Sequence, residues 1–245
     1  MGLGEGDDMN QLTETRGVQA MGIVFILFAI AFNLPYAWLA SAFDYPAILR
    51  SPPGVVLAAF AAGGRPLILA WAAFALAALL FAPVAIAMAA VTRRAGHASS
   101  AVAALGIAAG ITQAIGLSRW VYAVPGLAAA WTADPAARGS IEAVFIALHQ
   151  FAGVGIGEAI GQSLTAFWLI GVALGQSAHP RFGKAPAALG AVAGIVLLLG
   201  LVEGLATVLA FDAGVFGLAA MVGFLLLTVW LIWTGFLCIL RPART

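Results

Sequence analysis

Residues 140–176 read SIEAVFIALHQFAGVGIGEAIGQSLTAFWLIGVALGQ, a long apolar run with a carboxylate, Glu158, well inside it. Gly153, Gly157 and Gly161 recur at every fourth position, so they form a smooth strip on which a second helix can lie close. Glu158 lies beside this strip, and we therefore expect it to face protein rather than lipid. The stretch predicts a membrane-spanning helix that carries a polar group into a helix bundle.

The composition of the whole chain indicates the same class of protein. Hydrophobic residues make up 63% of the 245 residues and charged residues 9%, whereas soluble domains carry about 25% charged residues. A net charge of +1 without a basic stripe argues against a nucleic-acid partner. The single cysteine, Cys238, cannot form an internal disulfide. We expect an integral membrane protein whose surroundings are the lipid bilayer.

Six runs are long enough to cross a membrane, because a crossing needs about 20 apolar residues. They lie at 18–43, 66–92, 99–118, 153–175, 186–210 and 215–240. The sequence therefore predicts an all-α fold, with one transmembrane domain over 18–240 between a polar tail at 1–17 and a short tail at 241–245. Two partly apolar connections, 54–64 and 119–131, are too short to span; they either cover the outer end of the bundle or rest in the headgroups.

Positively charged residues indicate the orientation of the helices. With the N-terminus inside the cell, the inner side holds most of them, as the positive-inside rule requires. The inner set is Arg16, Arg93, Arg94, Arg181, Lys184, Arg241 and Arg244, and the outer set is Arg50, Arg65, Arg119 and Arg138. Both termini are then cytoplasmic.

The fourth span poses a problem of length. A helix from the start signal Asp134-Pro135 to Gln176 would be about 64 Å long at 1.5 Å per residue, roughly twice the membrane core. We therefore expect a break or a bend within 153–157, where alternate glycines weaken the helix.

Polar side chains fall at similar depth in four of the spans, and they form the candidate site. A charged, unpaired carboxylate at such depth is costly, so it must be protonated, paired or hydrated. The candidate ligand-binding residues are Glu158 and Glu203 as acceptors, Asn33, Gln113 and Gln162 as orienting amides, and Arg119 or His149 at the mouth. The alternative is that the two acids only hold neighbouring helices together.

Metal binding and catalysis receive less support. His149 lies nine residues before Glu158, about 180° away around an unbroken α-helix, and a lone histidine lacks the usual three-ligand spacing. No Walker loop, His-Glu-x-x-His helix or Gly-x-Ser-x-Gly elbow occurs in the sequence. We predict no metal, cofactor or catalytic residue, and we lean against an enzyme.

Two functions from different classes fit these features. In the first, an outward-facing pocket between spans one, three, four and five binds a small polar or cationic ligand, or a proton. In the second, the chain is a structural or accessory subunit whose glycine faces pack against another membrane protein. A lipid hydrolase with Ser163 or Thr165 as nucleophile is less favoured, since hydroxyls in spans usually bond to their own helix.

One part of the chain resembles a known family. The residues that carry the resemblance are Arg119-Trp120, 124–128, Asp134-Pro135, the run 149–158, Gly161 and Trp168. They are similar to a bacterial family of six-helix integral membrane proteins catalogued as domain of unknown function 4386. The resemblance implies a multi-pass protein of the bacterial inner (cytoplasmic) membrane, without an assigned enzymatic activity or cofactor. It assigns no catalytic role to Glu158.

Overall fold

The chain is almost entirely helical. The computed structural model describes residues 4–92 and 98–241, and no strand occurs in this part. The α-helices are α1 Gly4–Phe43, α2 Pro53–Val91, α3 Ala98–Tyr122, α4 Val124–Ala133, α5 Arg138–Leu148, α6 Gly161–Ser177, α7 Lys184–Leu209 and α8 Ala219–Leu240. A π-helix, His149–Ile160, joins α5 to α6, and short 3₁₀-helices lie at Ala47–Arg50, Pro135–Ala137 and Gly214–Leu218.

The prediction of a polytopic all-α bundle is confirmed. Six helical stretches of the described chain are long and apolar enough to cross a membrane. They are Thr13–Phe43, Pro53–Val91, Ser99–Ala133, Pro135–Ser177, Lys184–Leu209 and Gly214–Leu240. Large apolar side chains such as Leu34, Leu69 and Leu174 are exposed on the outside of the bundle, which suits a lipid environment rather than water.

The six spans form a ring in chain order. α1 packs against α2, α2 against α3, and α3 against α6; α6 packs against α7, α7 against α8, and α8 closes the ring on α1. Three residues used above for the orientation, Arg93, Arg94 and Arg244, lie outside the described residues. The helix α1 begins at Gly4, inside the segment predicted as a polar tail.

Of the break or bend predicted for the fourth span, the break does not occur. The chain stays helical through 153–157, but as part of the π-helix His149–Ile160, in which hydrogen bonds run from residue i to i+5. The helix that does break is α2, where Gly64 has φ 56° and ψ −149°. Glycine adopts this conformation without strain, whereas other residues do not. Because the conformation is not helical, it divides α2 into two helical pieces.

The two partly apolar connections pack on the bundle. They contribute the cap segments, 53–63 and 124–133, whose side chains Val56, Leu57 and Val124 are buried. Beneath them Trp71 and Trp120 stack with ring centroids 4.8 Å apart. The cap segments therefore pack over one end of the ring.

The opposite half of the ring has its own core, around Trp168 and Trp230. Gln176, which is fully buried, accepts a hydrogen bond from Trp230 Nε1 at 3.0 Å and donates one to Thr234 Oγ1 at 3.1 Å. This pair of bonds fixes α6 to α8 away from the candidate site.

Candidate functional site

A cavity lies inside the ring, towards the end that the cap segments cover. Its volume is about 120 Å³, enough for a few water molecules or a small organic group. Its walls come from the first, second, third, fourth and sixth spans and from the connection after α1. The lining residues are Phe32, Asn33, Tyr36, Tyr45, Phe74, Gln113, Gly116, Leu117, Arg119, Trp120, Gly153, Gly157, Glu158, Gln162, Met221, Phe224 and Leu225.

Glu158 is the acidic group of this cavity. It lies on the π-helix, and its side chain is exposed rather than sealed against neighbouring atoms. Among the described residues, no donor forms a hydrogen bond or a salt bridge with its carboxylate. A carboxylate without a partner at this depth is open to a group that enters the cavity.

Arg119 is the basic group of the cavity, and it is only 6% exposed. It donates to the carbonyl oxygen of Gly116 and, at 3.3 Å, to His149 Nδ1. Its guanidinium carbon lies 5.1 Å from the centre of the Trp120 ring. A Cβ atom added at Gly153 would come within 2.5 Å of Nη2, so the absence of a side chain there makes room for the guanidinium.

The π-helix changes the expected relation between His149 and Glu158. On an unbroken α-helix the two side chains would lie on opposite sides, but in the π-helix each hydrogen bond spans one more residue, so that relation no longer holds. His149 Nδ1 lies 3.3 Å from Arg119 Nη2, and Glu158 lines the same cavity as Arg119. Since arginine can only donate, His149 Nδ1 accepts and the imidazole carries its proton on Nε2. His149 itself is not among the lining residues.

Three amide side chains line the cavity as acceptors. Asn33 donates to the carbonyl oxygen of Ala29 at 2.7 Å and to Thr228 Oγ1 at 2.9 Å. The two glutamines also spend their NH₂ groups on the protein: Gln113 on Thr165 Oγ1 at 2.7 Å, and Gln162 on a carbonyl oxygen of α7 at 2.6 Å. No donor in the described part of the chain bonds to their carbonyl oxygens, which therefore remain free to accept.

Glu203 lies elsewhere. It forms a salt bridge with Arg50, whose Nε also donates to Glu203 Oε1 at 3.1 Å. Arg50 further donates to the carbonyl oxygen of Gly217 at 3.4 Å, so it joins the connection after α1 to α7 and to the segment before α8. Neither residue lines the cavity, and the fifth span adds no residue to its wall.

Aromatic side chains form much of the wall, although none of them was predicted as a site residue. The ring of Tyr45 lies edge-on to Trp71, with centroids 5.1 Å apart, and 5.6 Å from Tyr36. Burial and then the charge of Glu158 raise the pKa of Tyr45, so its hydroxyl stays protonated. Tyrosines near the end of a span are typical of an interfacial belt. Two of the three tyrosines of the chain, Tyr36 and Tyr45, nevertheless line the cavity.

The structure also locates the residues of the two less favoured functions, a lipid hydrolase and a metal site. Ser163 donates to the carbonyl oxygen of Ala159 at 2.6 Å and Thr165 to that of Gly161 at 2.8 Å, so both hydroxyls bond to their own helix. Over residues 4–92 and 98–241, no three His, Cys, Asp or Glu side chains come together as metal ligands would.

Comparison with known proteins places the chain in a family. The profile of the family described as domain of unknown function (DUF4386) matches residues 20–235, a stretch that includes every residue of the cavity wall. No curated protein and no protein of known structure matches the chain. The resemblance in the sequence is thereby confirmed, and the chain belongs to the DUF4386 family of six-helix membrane proteins.

Proposed function

We propose that the cavity binds a small polar ligand with a positively charged or hydrogen-bond-donating group, and that Glu158 accepts this group. The observation that carries the proposal is the carboxylate of Glu158, which lines the cavity without a hydrogen bond or salt bridge in the described part of the chain.

The other groups of the wall support a ligand of this kind. The carbonyl oxygens of Asn33, Gln113 and Gln162 add acceptors, because their amide nitrogens are bonded to the protein. Aromatic faces such as those of Tyr36 and Phe74 attract a cation through their negative π-surface. Glu203 is left out of the proposed ligand set, since Arg50 neutralises it outside the cavity.

We also propose where the protein works. The distribution of lysines and arginines favours an orientation with both termini in the cytoplasm, and the family resemblance favours the bacterial inner membrane. The cap segments then lie on the outer side, and the cavity lies in the outer half of the membrane. A ligand would enter from that side.

The accessory-subunit function loses its main support, because the glycines it relies on face helices of the same chain. A Cβ added at Gly157 would lie 3.1 Å from the Cα of Gly116, and one at Gly190 would lie 2.7 Å from Trp230 Nε1. One at Gly194 would lie 3.0 Å from the carbonyl oxygen of Ala166. We infer that these strips bring helices of the bundle together rather than a partner.

The test compares thermal unfolding of the purified protein with and without small ammonium ions, such as methylammonium and ethylammonium. Stabilisation by at least one ion should be lost or weakened by about 10- to 100-fold in apparent affinity in Glu158→Gln, since a hydrogen bond to a charged group contributes about 1.5–3 kcal/mol.

The matched control for this test is Glu142→Gln. Glu142 Oε1 accepts from Trp131 Nε1 at 2.8 Å outside the cavity, and glutamine keeps that acceptor. Equal stabilisation of Glu158→Gln and the wild type would contradict the proposal.

A further inference from the structure

We propose that the ligand is a zwitterion whose anionic group is bound by Arg119 while Glu158 takes its cationic group. This inference rests on the proposed function and extends it, since it names the class of ligand and assigns a second binding group.

The first step is the charge of the cavity wall. Arg119 is the basic residue of the lining and Glu158 the acidic one. They form no direct salt bridge, because among the described residues no nitrogen of Arg119 lies within 4.0 Å of a Glu158 oxygen. A pure cation leaves Arg119 without a partner and a pure anion leaves Glu158 without one, whereas a zwitterion satisfies both.

The second step is the state of Arg119. The guanidinium offers five N–H groups, of which one bonds to the carbonyl oxygen of Gly116 and one to His149 Nδ1. Nε is sealed from solvent and out of a ligand's reach. Nη1 and Nη2 each keep a second N–H without a partner among the described residues, and since Arg119 lines the cavity these groups suit an incoming carboxylate or phosphate.

The third step is the preparation of the site around Arg119. His149 accepts a hydrogen bond from the guanidinium, so it is held neutral and adds no charge that would compete with the ligand. Gly153 leaves the π-helix side of the guanidinium free of a side chain. The bond to His149 and the ring of Trp120 fix the guanidinium in place, which reduces the ordering that binding would otherwise require.

Two sources could supply a zwitterion. One is a free solute, and the other is the headgroup of a zwitterionic lipid, since Met221 and Leu225 of the lining are 37% and 51% exposed on the apolar surface of α8. The shared chemistry is an ammonium group linked to a carboxylate or phosphate, and the experiment separates the two sources.

The test measures binding to the full-length protein with probes that differ by one charge. γ-Aminobutyrate and glycine betaine are compared with their methyl esters, which keep the cation and lose the anion, and glycerophosphoethanolamine is compared with lysophosphatidylethanolamine, which carries the same headgroup charges and adds an acyl chain. We expect at least one zwitterion to bind at least 10-fold more tightly than its cationic ester. Preference for the lysolipid over glycerophosphoethanolamine would identify a lipid headgroup as the source, and the reverse would identify a solute.

Variants complete the test. Arg119→Gln should weaken the zwitterion by at least 10-fold without weakening its ester, while Arg119→Lys should restore part of the preference. Equal affinities for zwitterions and esters in the wild-type protein, or no binding of any zwitterion, would overturn this inference. If the ester binds and its binding depends on Glu158, the proposed function stands. If Glu158→Gln changes the binding of neither the ester nor the zwitterion, both the proposed function and this inference are contradicted.

Discussion

Replacing Gly116 with alanine should separate two helices that form the cavity wall. A Cβ at this position would lie 2.6 Å from the Cα of Gly157 and 2.9 Å from the carbonyl oxygen of Ala152, and both are backbone atoms that cannot rotate away. Since non-bonded carbons lie about 3.5–4.0 Å apart, α3 and the π-helix would have to move by about 1 Å.

The expected loss of stability follows from two opposing terms. Overpacking of a close contact costs about 1–3 kcal/mol. Alanine in a helix interior recovers about 0.5–1 kcal/mol relative to glycine. Gly116→Ala should therefore lower the free energy of unfolding by up to about 2.5 kcal/mol. It should also weaken stabilisation by ammonium probes, because Gly116 and Gly157 both line the cavity.

The assay is thermal unfolding of the purified variants in one detergent. Gly17→Ala is the matched control, since Gly17 lies in α1 and a Cβ there would meet nothing within 4 Å. This control should be as stable as the wild type or slightly more stable. If Gly116→Ala unfolds at the same temperature as Gly17→Ala, the close approach of α3 and the π-helix is refuted.

Three further outcomes are expected. Glu203→Gln should change the free energy of unfolding by less than about 1 kcal/mol, because its salt bridge is partly exposed. It should leave the binding of ammonium probes unaltered. A loss of probe binding as large as that in Glu158→Gln would place Glu203 in the site. Burial and then a neighbouring arginine lower the pKa of His179, so the folded state binds fewer protons than the unfolded state and stability falls as the pH drops below about 6.5. Thermal unfolding of His179→Asn, which keeps an acceptor, should show a shallower decline between about pH 7 and pH 5, and equal slopes would argue against this effect. Gln176→Leu leaves Trp230 Nε1 buried without its acceptor and should lower the free energy of unfolding by about 1–3 kcal/mol. An unchanged unfolding temperature would show that this bond contributes nothing.

The fold could be predicted because hydropathy and length determine it almost alone. Six apolar runs in a chain with few charges allow only a set of membrane-spanning helices, and the structure confirms six helices of that kind. The course of the fourth span could not be predicted, since the choice between a break and a π-helix depends on what packs against the glycines. Here Gly116 contacts Gly157 and Arg119 contacts Gly153, and both partners come from another helix.

The positions of the candidate site residues along their spans could be predicted, but the directions of their side chains could not. Glu158, Asn33, Gln113, Gln162 and Arg119 were selected because they are polar within apolar spans, and all five line one cavity. Position along a span gives depth, whereas the direction of a side chain depends on neighbours that are distant in sequence. The Arg50 partner that draws Glu203 elsewhere is 153 residues away along the chain.

The most direct test of the central claim is native mass spectrometry of the gently solubilised protein, with the wild type, Glu158→Gln and Glu142→Gln prepared in parallel. The predicted result is a reproducible small bound mass on the wild type and on Glu142→Gln that is absent from Glu158→Gln. The same bound mass at the same occupancy on all three proteins would contradict the claim that Glu158 holds a ligand in the cavity.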